Sequence, residues 1–577
     1  MRLLLMAALS WLAIGSCGAE SGGQPRATLR VGLWTLWHDK QIGVSSEPGA
    51  TLRLCASCAA TVLKPAMQFR AVADRVSVGE KGLVESVFLD GSVTLAAHGE
   101  KLVLHNPLRI CARKGELVLA VTLPVETYVE RVVASESGAA DTLESLKALA
   151  VVVRSFALHQ QHGHADYDLC DSTHCQLLHW GGGSGRQAAA HAATLSTAGE
   201  TLWFHGQRAQ AWFHQNCGGR TASPQEVWPG KVRGNAPMPW LVSRADPWCA
   251  AGGAREWSAD LSLADLSAAL GAAGLVRPGW KTLTVALRGE SGRAVMLKVD
   301  AAEISAEDFR LAVGRAMGWN RILSTWFEVV QQGDHFLFHG RGSGHGVGLC
   351  QAGAAAMGAA GRDSAQILAQ YFPGAIAADE ATGRAWQSFT SGWLMLESLD
   401  PADAAYLPQL ARALRDAQNR SGIQVSQQTT VRAFRSTSSF RDATLAPGWV
   451  AAFTEGNWIA TQPLATLASR RILDSTLRHE FLHALIESLA APRTPLWLRE
   501  GLVEAMGDTA IPSGPAPALK LEGLDHALSH ATTEAESRAA HRAAKWYASR
   551  LLVRSGREQV LQWLHNGFPA NALAGLS

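Results

Sequence analysis

The sequence predicts an α+β protein in two parts, a β-rich mixed domain followed by a mainly α-helical one. Residues 28–122 alternate apolar and polar positions in short runs broken by Gly, Asn and Asp, which is typical of antiparallel strands. After residue 390 the apolar positions recur mostly at helical spacing. Of the nine Cys, the eight beyond Cys17 lie between residues 55 and 350, so disulfides or metal sites are expected in the first part alone.

These patterns divide the 577 residues into a leader, two domains and a linker. We expect the first domain at 28–375, the linker at 376–390 and the second domain at 391–577. Helical spacing also predicts a helical stretch at 124–160. Within the second domain, helices are predicted at 402–420, 474–490, 496–507 and 534–565.

Residues 1–17 have the features of a secretory signal peptide. Arg2 precedes an apolar run at 3–14, which is too short to span a bilayer as a stable helix. Small residues and Cys17 follow, and this ending resembles a lipobox in which Cys17 would carry the lipid. Ordinary cleavage near Ala19 is the alternative. The sequence therefore predicts an exported cell-envelope protein that touches the membrane only through a lipid anchor.

The composition restricts the classes of function. Apolar residues make up 47% and charged residues 18% of the chain, which is the balance of a globular protein. The formal net charge of +2 is close to neutral and gives no reason to expect nucleic-acid binding.

Two features of the first domain carry the candidate catalytic chemistry. A segment at 340–353 has six Gly in fourteen residues, so it needs positive φ angles or holds its backbone close to a ligand, and His345 lies within it. Glu136 follows an apolar run and precedes small polar residues, which favours a place at a cleft edge. Partial burial there would raise its carboxyl pKa and suit it to act as a general acid. Taken alone, the segment also fits a simple turn, and Glu136 a surface carboxylate.

Five segments, taken in order, resemble the SpoIID/LytB family over residues 28–375. These segments are Leu123–Ser137, Ser145–Ala157, Asp168–Gln176, Asn216–Thr221 and Gly342–Gln351. The resemblance implies binding of peptidoglycan glycan strands and lytic transglycosylase activity, which cleaves the MurNAc–GlcNAc bond and leaves a 1,6-anhydro end. It implies that Glu136 is the catalytic acid and base. The residues that it implies as substrate contacts are Arg154, Gly218, Gly219, His345 and Gln351.

The family pattern is altered at Ala134, Ser137, Ser343 and Cys350, whereas the acid of the pattern is kept as Glu136. Two alternatives remain open. LytB-type relatives are named amidase enhancers, so the first domain could bind the wall and activate a cell-wall amidase without turning over glycan. The first domain could also serve only as a wall anchor for the second.

A cluster of soft ligands accompanies this resemblance. Cys170, His174 and Cys175 lie close together in sequence, and His164 precedes them. Cys and His are ligands that zinc prefers, and some SpoIID-type proteins hold zinc at this place. A disulfide between Cys170 and Cys175 is the alternative in an oxidising compartment.

Two further pairs of Cys lie outside this cluster. A disulfide between Cys217 and Cys249 is expected. Cys55 and Cys58 form a CxxC pattern without a surrounding βαβ unit, which argues against a redox-active site.

The second domain contains an HExxH motif. His479 and His483 are four residues apart on a helical pattern, so both can bind one Zn²⁺, and Glu480 beside them can act on a zinc-bound water. Sixteen residues separate His483 from Glu500, and the segment around Glu500 resembles the "WLxEGLAE" segment of gluzincin peptidases. The resemblance implies Glu500 as the third zinc ligand. The alternative is an inactive helical domain that keeps the pattern without metal.

Overall fold

The computed structural model describes residues 27–159, 164–181, 185–230, 238–508, 512, 514–569 and 572. The predicted leader at 1–17, with Cys17, lies outside these residues. Among the helices of the described ranges, none combines the length and the apolar character that crossing a bilayer requires.

Short strands fill residues 28–124, as predicted, and form two sheets whose apolar faces supply the first core. The two strand orders are β1-β12-β11-β8-β3-β4 and β10-β9-β2-β5-β6-β7. A disulfide between Cys55 and Cys58 lies in the loop before β4. The strands are β1 (Thr28–Leu33), β2 (Gln41–Ser46), β3 (Thr51–Arg53), β4 (Thr61–Val62), β5 (Ala66–Val72), β6 (Arg75–Ser77), β7 (Leu83–Val84), β8 (Ser86–Asp90), β9 (Val93–Ala97), β10 (Glu100–Leu104), β11 (Leu108–Arg113) and β12 (Glu116–Pro124).

Two long helices follow, and a break at 137–142 separates them inside the predicted helical stretch. Helix α1 packs on β1 and β12 of the first sheet, and α2 packs on α1. Helix α2 is apolar on all sides at 148–153 and is buried there, as expected of a helix surrounded by other elements. Strand β13 pairs in parallel with β1 and extends the first sheet. The elements are α1 (Val125–Glu136), α2 (Leu143–His159), β13 (Leu169–Cys170), α3 (Gln187–Ser196), β14 (Glu200–Phe204), β15 (Gln207–Arg208), β16 (Phe213–His214), α4 (Pro224–Val227) and α5 (Pro247–Ala251).

Residues 256–341 form an inserted unit with a hydrophobic core of its own, centred on Phe309, Phe327, Phe336 and Phe338. It contains two three-stranded sheets, in the orders β17-β22-β21 and β18-β19-β20. The elements are β17 (Glu256–Ser262), α6 (Leu263–Ala272), β18 (Leu283–Arg288), β19 (Ala294–Val299), β20 (Ala302–Ser305), α7 (Ala306–Met317), β21 (Phe327–Gln332) and β22 (His335–Arg341).

The chain then returns to the first core through β23 (Leu349–Cys350), α8 (Gln351–Ala359), α9 (Ser364–Tyr371) and β24 (Ile376–Asp379). Strand β23 pairs in parallel with β16, and β24 pairs with β14. Strands therefore occupy both ends of the segment predicted as a linker at 376–390, since the next strand begins at Gln387.

The second part is largely helical, as predicted, and also holds a five-stranded sheet in the order β25-β26-β27-β29-β28. This sheet was not predicted, because its strands have only four or five residues and show no clear period. Helix α13 carries the HExxH motif and packs on α10 and α14, with α14 packed on α16. The elements are β25 (Gln387–Ser391), β26 (Leu394–Ser398), α10 (Leu407–Ser421), β27 (Thr429–Ala433), α11 (Thr437–Thr444), β28 (Ala452–Glu455), β29 (Trp458–Thr461), α12 (Leu464–Ser469), α13 (Leu473–Leu489), α14 (Leu496–Gly507), α15 (Leu521–His530), α16 (Glu534–Ser555) and α17 (Arg557–Asn566).

Charged side chains join the two parts. The Arg432 guanidinium lies 2.8 Å from Glu200 of the first part and 2.7 Å from Glu397 of the second. His191 of α3 lies 2.8 Å from both Glu130 and Glu455. The described structure is therefore mixed α and β, with a β-rich first part and a helical second part in contact.

Candidate functional site

Glu136 is the last residue of α1, and its carboxyl group is half-buried. The backbone N–H of Leu177 donates to Glu136 Oε1 at 3.3 Å, and the Gln351 side-chain amide donates to the Glu136 carbonyl at 3.1 Å. The structure thus brings together two predicted site residues that lie 215 positions apart.

Burial raises the pKa of the Glu136 carboxyl to about 7, and the Leu177 hydrogen bond opposes this only in part. The carbonyl groups at the end of α1 act in the same direction as burial, because a helix C-terminus disfavours a negative charge. Around neutral pH the group can therefore both give and take a proton.

A cleft of about 520 Å³ adjoins this carboxyl group and is lined by Trp34, Trp37, Trp180 and Trp319 among others. Trp34 and Trp37 are stacked with ring centroids 4.7 Å apart, and Trp319 comes from the inserted unit with half of its surface exposed. Leu177 also lines the cleft and links it to Glu136, which is not itself among the lining residues. Exposed indole faces are suited to stacking on sugar rings.

Asp171 fixes one wall of this cleft. Its carboxylate accepts the Trp34 N–H at 2.6 Å, the Thr35 hydroxyl at 2.6 Å and the Trp180 indole N–H at 2.9 Å. These bonds occupy both oxygens of Asp171, so this carboxylate holds the aromatic wall in place.

The glycine-rich segment lies against the Gly218–Gly219 turn, as the ordered motifs suggest. Gly218 and Gly219 have φ angles of 73° and 104°, and a Cβ on Gly218 would approach Gly342 N to 3.2 Å. His345 accepts the Val347 N–H through Nδ1 at 3.1 Å and packs its ring on Trp228. Burial lowers the pKa of His345 well below its ordinary value, so its imidazole is neutral.

The position of Arg154 differs from the prediction that this residue contacts the substrate. Its side chain has no exposed surface and forms an ion pair with Glu126, with Nη2–Oε2 at 2.6 Å and Nε–Oε1 at 2.9 Å. It also donates to the Glu200 carbonyl at 2.9 Å. Because these partners surround the guanidinium inside the core, Arg154 ties α2 to α1 and does not reach a substrate.

The predicted soft-ligand cluster is gathered in space. His164, Cys170, His174 and Cys175 have ligand atoms within 4.8 Å of one another. The two sulfurs lie 2.6 Å apart, and both Cys are free thiols. The His164 Nε2 lies 3.2 Å from the Cys175 sulfur.

The HExxH residues line a second cavity, of about 690 Å³, in the second part. His479 and His483 face each other with Nε2 atoms 3.1 Å apart, and Glu500 Oε2 lies 3.5 Å from His483 Nε2. Burial lowers the pKa of both His, that of His483 to about 4, so both imidazoles are neutral and able to bind a metal. The ligand atoms of His479, His483 and Glu500 are farther apart than those of the cluster formed by His164, Cys170, His174 and Cys175, which all lie within 4.8 Å of one another.

Two residues beside this motif were missed from the sequence. Thr454 of β28 donates its hydroxyl to Glu480 Oε2 at 2.6 Å and so orients that carboxyl group. His541 of α16 lies 3.7 Å from Glu500 and 3.5 Å from Glu504 through Nδ1. His541 lies within the helix predicted at 534–565, and no motif in the sequence singled it out.

Family comparisons match two segments of the first part. Residues 113–204 match the SpoIID family, described as Stage II sporulation protein. Residues 254–348 match a domain of unknown function, DUF8618, and this range coincides with the inserted unit.

Three curated proteins are similar to the chain. An uncharacterized protein of Brachyspira hyodysenteriae is 27% identical over 45% of this chain and 67% of its own length. Stage II sporulation protein D of Bacillus subtilis is 25% identical over 50% of this chain and 85% of its own length. The amidase enhancer of the same organism is 23% identical over 42% of this chain and 39% of its own length. These comparisons show that the first part of the chain is similar to the SpoIID family.

Proposed function

We propose that this chain is an exported cell-envelope protein, anchored by a lipid on Cys17, whose first part cleaves peptidoglycan glycan strands as a lytic transglycosylase. The observation that carries the proposal is the place of the Glu136 carboxyl group, which is bonded to Leu177 of the Trp-lined cleft and whose pKa burial raises to about 7. Of the two carboxylates that line the cleft, Asp171 already accepts four hydrogen bonds, and Glu100 is exposed on β10. We therefore propose that Glu136 alone acts first as the acid and then as the base.

In the proposed reaction, protonated Glu136 gives its proton to the glycosidic oxygen as the bond from that oxygen to MurNAc C1 breaks. GlcNAc leaves with a free hydroxyl group. The Glu136 carboxylate then removes the proton from the MurNAc 6-hydroxyl, whose oxygen bonds to C1 and closes the 1,6-anhydro ring. The carboxyl group is restored and no water is consumed.

The names of the relatives support a peptidoglycan-related role and also define the main alternative, since one of them is an amidase enhancer. In that alternative the cleft binds glycan and the chain activates a cell-wall amidase without breaking glycosidic bonds. Turnover of purified glycan by the full chain alone separates the two functions.

The pH dependence of glycan cleavage is expected to show the Glu136 titration. The acid must be protonated to begin the reaction, and its pKa is raised to about 7 by burial. The rate at limiting substrate should therefore be constant on the acid side and fall tenfold per pH unit above about pH 7. Stopped assays from pH 5 to pH 9 would measure this, and a rate that rises through pH 7 would contradict the assignment.

We propose a second activity, a zinc peptidase, for the cavity of the second part. Glu500 Oε2 is buried, faces His483 and has no hydrogen-bond partner among the described residues, which fits a cation held by His479, His483 and Glu500. When bound, zinc would polarise a carbonyl group and acidify a water. Glu480, whose pKa is raised by burial and which Thr454 orients, would accept and return the proton.

Zinc is also proposed at the cluster of His164, Cys170, His174 and Cys175.

A Glu480→Gln variant is expected to lose peptide hydrolysis by at least about a hundredfold, because it removes the proton acceptor and leaves the three ligands in place. Release of fluorescent peptides from a mixed peptide library would measure this. Asp474→Asn, a change on the exposed face of the same helix, is the matched control and should keep the wild-type rate. Equal hydrolysis by Glu480→Gln and wild type would refute the proposed peptidase.

A further inference from the structure

The first part contains another set of ligand-type side chains, formed by Cys217, Asp246, Cys249 and Cys350. All four are at most 1% exposed, and their ligand atoms lie within 4.8 Å of one another. The structure has the three Cys as free thiols, which corrects the predicted disulfide between Cys217 and Cys249. Three thiols cannot all pair with one another, whereas a metal ion can use all of them.

The carboxylate is held with one oxygen facing the sulfurs. Asp246 Oδ2 lies 3.2 Å from the Cys217 sulfur and accepts the Tyr371 hydroxyl at 2.9 Å. Its other oxygen accepts the Cys249 N–H at 3.0 Å. A buried carboxylate so close to a sulfur needs a proton or a cation between the two atoms. Outer hydrogen bonds of this kind commonly orient metal ligands.

Backbone groups are arranged to stabilise thiolates. The Cys217 N–H donates to the Cys350 sulfur at 3.2 Å, and the Gly353 N–H donates to the same sulfur at 3.4 Å. The Gly219 N–H donates to the Cys217 sulfur at 3.3 Å. These donors favour the deprotonated sulfur that a metal requires.

A buried cation balances part of the expected negative charge. Arg293 of the inserted unit is 1% exposed, and its guanidinium donates to the Cys217 carbonyl at 2.8 Å and to the Arg220 carbonyl at 3.2 Å. As ligands of a metal, the three thiolates and the carboxylate would carry four negative charges. Zn²⁺ and the Arg293 guanidinium would reduce this net charge to about one negative.

We propose that Cys217, Asp246, Cys249 and Cys350 bind one structural Zn²⁺. Three sulfurs and one oxygen provide the closed tetrahedral set that structural zinc prefers. The ion would join the 216–221 turn, α5 and the start of α8. Because Gln351 follows Cys350 and bonds to Glu136, the ion would also fix that contact. The inference stands on ligand geometry and does not depend on the reaction proposed at Glu136.

The test is the zinc content of the full chain, purified without chelator and measured by mass spectrometry of the metal. Cys249→Ser is expected to lose one zinc per chain relative to wild type. Cys111→Ser, which removes a buried thiol outside both clusters, should lose none. A Cys249→Ser chain that keeps all of the wild-type zinc overturns the proposal.

A second measurement leaves this site intact, so it does not depend on the folding of Cys249→Ser. The double variant Cys170→Ser/His479→Ala weakens the other two candidate sites and should retain one zinc. X-ray absorption should show three sulfurs at about 2.3 Å and one lighter ligand. Loss of all zinc from this variant, or a disulfide among Cys217, Cys249 and Cys350 in non-reducing peptide maps, overturns the proposal.

Discussion

A Glu136→Gln variant is expected to lose glycan cleavage by about 10²–10⁴-fold while still binding glycan, because it removes the transferable proton and preserves the shape of the side chain. Both proposed steps depend on this one group, which favours the upper end of the range. The rate is measured as new chain ends released from purified glycan, and binding as the fraction of protein that sediments with insoluble glycan.

The controls for this variant separate chemistry from folding. Glu85→Gln changes an exposed carboxylate away from the cleft and should keep the wild-type rate. If Glu136→Gln cleaved glycan as fast as Glu85→Gln, Glu136 would not be the acid. If both variants and wild type bound glycan without cleaving it and still stimulated an amidase, the enhancer function would replace the transglycosylase.

An Arg154→Met variant is expected to destabilise the first part by about 3–5 kcal/mol, because it leaves the Glu126 carboxylate buried without its cation. Arg154 has no exposed surface, and Glu126 is 8% exposed, so water cannot replace the lost partner. The free energy of opening of α1 and α2, measured by backbone hydrogen exchange, would fall by this amount.

Two further variants make this result specific. Lys147→Met removes the partly exposed pair of Lys147 with Glu144 on the same helix and should cost no more than about 1 kcal/mol. Replacing both partners, as in Glu126→Met/Arg154→Met, should recover much of the loss, since no uncompensated charge remains. If the Arg154→Met chain had wild-type stability but bound glycan more weakly, Arg154 would be a substrate contact, as the family resemblance implies.

Local patterns in the sequence were sufficient for much of the fold. The short strands at 28–122 and the helices around the HExxH motif follow from alternation and from helical spacing, which depend only on neighbouring residues. The sheet of the second part was missed because Leu394–Ser398, Thr429–Ala433 and Trp458–Thr461 are too short to show a clear period. Their pairing joins segments far apart in sequence.

The candidate sites also contain residues that local patterns predict and residues that only long-range contacts reveal. The motif residues Glu136 and Gln351 were identified from ordered segments, and the structure places them in contact. The burial of Arg154 depends on a partner 28 residues away, and the third Cys of the new cluster lies 133 residues beyond the first. Neither relation leaves a local pattern, so both required the structure.

The most direct test of the central claim is the structure of the ends that the full chain makes on glycan stripped of stem peptides, read by mass spectrometry. The account predicts MurNAc products that carry a 1,6-anhydro end and are lighter than the hydrolysis products by one water. Ordinary reducing MurNAc ends would contradict the account, because they require a water that the proposed reaction does not use.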